Sequence, residues 1–158
     1  MKKFEFTGET KTISLFFRTA TLHRIRAVAE FGLVKVGDLG GWIEKEENLS
    51  HEGKAWVWGN AKVWGNAEVC GNAEVFSARH VLVIGAMGSR DDFTTFFRDK
   101  DNEITVKCGC FLGKIDKFLE KVTQTHGDSK YALVYRAAVE VARLQIDLSG
   151  EAPKDADE

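Results

Sequence analysis

Val57-Trp-Gly-Asn-Ala-Lys62, Val63-Trp-Gly-Asn-Ala-Glu68 and Val69-Cys-Gly-Asn-Ala-Glu74 are three nearly identical hexapeptides in unbroken succession. A degraded unit, Val75-Phe-Ser-Ala-Arg-His80, follows, and Val81 keeps the phase. Upstream, His51-Glu-Gly-Lys-Ala-Trp56 retains Gly53 and Ala55 in register. An aliphatic residue every six positions, with a small one four places later, suits a prism with short strands as its faces. The valine fills the interior, the alanine sits where a larger side chain would collide, and Gly-Asn tolerates the backbone of a corner. A helix would not accept a Gly-Asn pair at this spacing. The expectation is about two turns of a left-handed parallel β-helix, within a mixed β/α+β chain.

If three hexapeptides closed one turn, residues 18 apart in the sequence would stack: Phe76 beside Trp58, Leu82 beside Trp64, Glu74 beside Trp56. Strand alternation would turn the valines inward and Trp56, Trp58 and Trp64 outward. Aromatic faces of that kind are covered by other segments of the chain or by a second copy, or they form a ligand surface. Trp56, Trp58, Trp64, Phe76 and Leu82 are therefore the candidate interface residues, and a homo-oligomer, dimer or trimer, is the expected assembly.

Outward from the repeats, the pattern changes on both sides. Residues 1–41 read as N-terminal strands and a glycine-punctuated lead-in to the coil, with Lys2–Thr7 and Lys11–Arg18 as two strands around Thr7-Gly8-Glu9-Thr10. Phe4, Phe6, Ile13, Leu15 and Phe17 alternate as one buried face would. Leu22–Glu30 fits a strand or a helix, and the strand is preferred. The coil is assigned to residues 42–86 and a C-terminal α+β module with two helices to 87–146. Lys114–His126 carries Ile115, Phe118, Leu119 and Val122 at helical spacing and stops at Gly127. A second helix follows Asp128-Ser129, with Tyr131, Val134, Tyr135, Ala138, Val141 and Ala142 as its apolar stripe. Residues 147–158, acidic and holding the only proline, read as a disordered tail.

The stretch Asp38-Leu-Gly-Gly-Trp-Ile-Glu-Lys-Glu-Glu-Asn-Leu-Ser-His51, running into Gly-Asn-Ala units, resembles hexapeptide-repeat proteins carried by phages and prophages. That resemblance implies a viral accessory protein of the host cytoplasm, with no established activity to carry over. More broadly, the repeats look like the coil of hexapeptide acyltransferases. Those enzymes bind acyl-coenzyme A between the subunits of a trimer and use a histidine base, a role that would fall to His80.

Composition sets limits on function. With 22 Lys and Arg against 24 Asp and Glu, the formal net charge of −2 gives no electrostatic reason to expect nucleic-acid binding. No apolar run is long enough for a signal peptide or a membrane span. Three cysteines, Cys70, Cys108 and Cys110, show no disulfide framework, which fits the cytoplasm. Cys108-Gly109-Cys110 would put both sulfurs on one face of a strand, too few ligands for zinc, and no metal or cofactor is expected.

The densest polar cluster is Gly85-Ala-Met-Gly-Ser-Arg-Asp-Asp-Phe-Thr-Thr95. Ser89, Arg90, Thr94 and Thr95 in a glycine-containing loop after a strand could cradle a small anion through backbone N–H groups and the guanidinium, or the loop could be a plain connector. It lacks the Gly-Lys-Ser/Thr of a nucleotide-binding loop. His126, at a helix C-terminus, and His80 are the only candidate catalytic histidines, each with a structural reading beside it. The sequence thus points first to a non-enzymatic accessory or binding protein, of a counter-defence kind, that recognises a host protein or another host macromolecule or sequesters a small anionic ligand. A minimal hexapeptide-type transferase, another small enzyme centred on Arg90, Thr94 and His126, and a self-assembling structural unit are the alternatives.

Overall fold

The computed structural model describes residues 1–149; the distal part of the expected tail, 150–158, lies outside the described residues. The longest strands are not in the repeats. Phe4–Ser14 (β1) and Thr19–Ala27 (β2) form an antiparallel hairpin, with Phe4 opposite Ala27 and Ser14 opposite Thr19. The expected turn at Thr7–Thr10 is instead an irregularity within β1, where the register shifts between Phe6 and Thr10. The chain reverses at Leu15–Arg18, leaving Phe16 and Phe17 exposed at the tip in an edge-to-face pair, so Phe17 does not join the buried face expected of it.

The third strand, Leu39–Ile43 (β3), adds antiparallel to β2. The repeats then contribute strands of only two residues each: Trp56–Val57 (β4), Lys62–Val63 (β5) and Glu74–Val75 (β6). Parallel pairing is confined to β5 against β3 and β6 against β4, plus a single bridge from Leu49 to Val69. The offset is also uneven: Trp42 pairs with Lys62, 20 residues on, whereas Trp56 pairs with Glu74, 18 residues on.

The expected left-handed parallel β-helix is therefore overturned. The described strands fall into three separate, mostly antiparallel sheets: β1-β2-β3-β5, the pair β4-β6, and a C-terminal four-stranded sheet. The physical reason lies in strand length. The two-residue ladders of the repeats cannot compete with the 11- and 9-residue arms of the hairpin, which capture β3 into their own sheet.

The repeats nevertheless build a core in the phase their spacing implies. Val57, Val63, Val69 and Val75 are buried, as are Ala55, Ala61, Ala67 and Ala73. Gly59, Gly65 and Gly71 take positive φ at the corners, where an L side chain is strained. Phe4, Ile25 and Ile43 of the first sheet close this core from one side, and Phe97 closes it from the other.

The C-terminal sheet consists of Val81–Met87 (β7), Asp92–Arg98 (β8), Ile104–Cys108 (β9) and Phe111–Lys114 (β10), all antiparallel. It begins at Val81, inside the segment assigned to the coil. The helices Ile115–His126 (α1) and Lys130–Gln145 (α2) cover its far face. Both faces of this sheet are buried, and its side chains alternate between two cores. Val81, Val83 and Phe97 point to the repeats, while Leu82, Ile84 and Phe96 point to the helices. The result is a layered arrangement of repeats, sheet and helices. Within the expected tail, Leu148 packs on the helix core and its carbonyl accepts from Asn102 Nδ2 (3.0 Å).

Candidate functional site

The turn between β7 and β8 positions the first functional side chains. Gly88–Arg90 forms one turn of 3-10 helix, closed by Asp91 in the left-handed region (φ 50°). Gly88 has φ +78°, and a Cβ there would stand 2.0 Å from the Tyr135 hydroxyl oxygen, so no side chain fits between this turn and α2. The turn therefore rests directly on Tyr135 and holds Ser89 and Arg90 at the edge of the helix-covered layer. On the next element, strand alternation separates Thr94 from Thr95. Thr94 faces the helices, where its hydroxyl donates to Cys108 Sγ (3.3 Å). Thr95 faces the repeats, and its Oγ1 accepts from Glu68 N–H (3.0 Å).

The other wall comes from the β9–β10 corner and the helices. Cys108-Gly109-Cys110 is not a continuous strand face: Gly109 takes φ +57° and the chain reverses, with Cys108 opposite Phe111. Lys107 Nζ donates to Gly109 O and braces this corner. A cavity of about 190 Å³ opens between corner, turn and helices. It brings together Ser89, Arg90, Thr94 and His126, four residues singled out from the sequence, and leaves Thr95 out. Lys121, Thr125 and Tyr135, which the sequence marked only as helix, also line it.

The cavity is polar at its rim and aromatic on its floor. Phe111 and Phe118 lie 5.5 Å apart, Phe118 meets Tyr135 edge-on at 5.8 Å, and His126 stacks on Tyr135 at 5.6 Å. Arg90 and Lys121 are exposed and have no ion pair or hydrogen bond among the described residues. Asp92 also lines the cavity, with its Oδ1 engaged by the Phe93 N–H (2.7 Å). Tyr135 is 7% exposed, yet its hydroxyl has no hydrogen-bond partner among the described residues. The buried side-chain polar atoms without a partner among the described residues are the indole nitrogens of Trp42, Trp56 and Trp58; the Tyr135 hydroxyl is not one of them and stays accessible at the cavity. The sequence hid this residue because its ring fits an apolar helical stripe equally well.

The remaining candidates lie elsewhere. His80 is buried; its Nδ1 accepts from Phe76 N–H (3.0 Å), and burial followed by the Arg98 charge pushes its pKa down. It pins the end of the repeats rather than projecting to solvent. Of the candidate interface residues, Trp56 is buried and Trp58, Trp64, Phe76 and Leu82 are half-buried. Trp56 is buried against Phe31 at 5.2 Å, Trp58 stacks on Phe76 at 5.3 Å, and Trp64 packs beside Ala20, Leu22 and Trp42. Leu82 turns to the helix core. Glu74 beside Trp56 and Phe76 beside Trp58 do meet as an 18-residue stack requires.

Among the described residues, no group of three or more His, Cys, Asp or Glu is arranged to hold a metal ion, and no helix is long and apolar enough to cross a membrane. No protein-family model matches the chain, and no curated protein matches it.

Proposed function

We propose that the protein is a non-enzymatic binding protein for a small molecule. More particularly, it sequesters a small anionic ligand in the cavity between the Gly88–Arg90 turn, the Cys108–Cys110 corner and the two helices. The observation that carries this reading is the convergence on one cavity of two cations, Arg90 and Lys121, and the Tyr135 hydroxyl, none of which has a partner among the described residues. Cations without carboxylate partners favour anions, and a pre-formed, partly apolar cavity with few polar groups is the usual form of a small-molecule site. Sequestration of a small host ligand in the host cytoplasm is the role proposed for a phage-type accessory protein. A thermal-shift screen against inorganic phosphate, pyrophosphate and small carboxylates tests it. Stabilisation of the wild-type protein that disappears in Arg90→Ala/Lys121→Ala is expected. Equal shifts in both proteins, or none in either, would contradict it.

Self-association is a second reading, favoured by apolar side chains away from the cavity. Leu133, Val141 and Leu144 are exposed along one side of α2, and the β1–β2 tip exposes Phe16 and Phe17. Unpartnered apolar surface of this kind marks interaction sites.

A further inference from the structure

We infer that the ligand is a planar aromatic ring bearing a phosphate or carboxylate group, with the ring against the Phe111–Phe118–Tyr135–His126 wall and an anionic oxygen accepting from Tyr135. This rests on the anion-binding reading above and names the class of molecule that fits it.

The wall consists of four rings in three consecutive contacts, with centroids 5.5 to 5.8 Å apart. Aromatic rings prefer this spacing to one another, and a ligand ring that joins the series gains the same edge and face contacts. A bare inorganic anion would leave that surface unused. The cavity size agrees: about 190 Å³ is available, and an apolar cavity of about 150 Å³ holds benzene. A ring therefore fits this half-open cavity with its charged substituent toward solvent, where Arg90 and Lys121 are exposed.

Tyr135 fixes the orientation. Its ring belongs to the wall, while its hydroxyl meets Gly88 at the base of the turn that carries Arg90. One residue thus touches both halves of the proposed ligand. Because the hydroxyl has no hydrogen-bond partner among the described residues, removing it breaks none of their hydrogen bonds and takes away only this contact.

Isothermal titration of the full-length protein with phenyl phosphate, cyclohexyl phosphate and inorganic phosphate tests the inference. Phenyl phosphate is expected to bind about 3- to 10-fold tighter than cyclohexyl phosphate, which has the same charge and a similar size but no π face. Tyr135→Phe is expected to weaken phenyl phosphate about tenfold or more with an unchanged Tm. Equal affinities for all three, lost together in Arg90→Ala/Lys121→Ala, would overturn the ring and leave the anion site standing. Undiminished binding of phenyl phosphate by Tyr135→Phe would overturn the role of the hydroxyl. No binding of any of the three would overturn both the inference and the reading on which it rests.

Discussion

The two cores of this chain differ in how they are built. The repeat core has small, repeated side chains at its centre, valine and alanine at exposures of 0–3%, with Phe4, Trp56 and Phe97 packed around them. The helix-covered core is built around the rings of Phe96, Phe118 and Tyr135, and the Arg90 cavity opens at its edge beside the β9–β10 corner. In the proposed reading the regular region is scaffold and its irregular neighbour holds the ligand.

Phe97 joins the two regions and gives the largest expected effect. It projects from the C-terminal sheet into the repeat core and is fully buried there. Phe97→Ala is expected to cost about 3–5 kcal/mol, by chemical denaturation, through lost burial and the cavity left behind. A single cooperative transition, shifted as a whole, is expected of layers that depend on each other. Two transitions would show that the repeats and the helix-covered sheet unfold separately.

A buried charge sharpens the contrast from the repeat side. Lys3 Nζ donates to Ala55 O (2.7 Å) and lies over the Phe31 ring, and burial lowers its pKa to about 8. The unfolded chain therefore binds this proton more readily between about pH 8 and 10.5, and stability rises with pH across that window. The gain is at most about 3 kcal/mol. Lys3→Met should flatten this rise in denaturation curves measured at pH 7.5 and 10. An unchanged slope would place the linkage on another group.

Gly88→Ala acts on the other region, with an expected cost of about 1–3 kcal/mol from positive φ alone. Its methyl would also displace Tyr135, so ligand affinity should fall more than stability does. A variant that binds normally would show that the turn does not rest on Tyr135 in solution.

Much of the interior was legible in the sequence. The valine and alanine phase, the positive-φ glycines, the Trp58–Phe76 stack and both helices follow from spacing alone. What spacing did not reveal was competition between segments. The repeats carry a signal for parallel stacking, but Phe16-Phe17 has no turn residues to announce a hairpin whose arms outmatch two-residue ladders. Cys108-Gly109-Cys110 read as strand because one glycine in an apolar run does not declare a corner. At the site, Ser89, Arg90, Thr94 and His126 were visible by residue type, whereas Lys121 and Tyr135 reach the cavity only through helix packing.

The most direct test of the account is a two-dimensional amide NMR titration of the protein with phenyl phosphate. Shift changes confined to Gly88–Arg90, Gly109 and Lys121–His126, with the repeat amides unmoved, are the predicted result. Saturable changes centred on the repeats, or none at any residue, would contradict the assignment of binding to the helix-covered region.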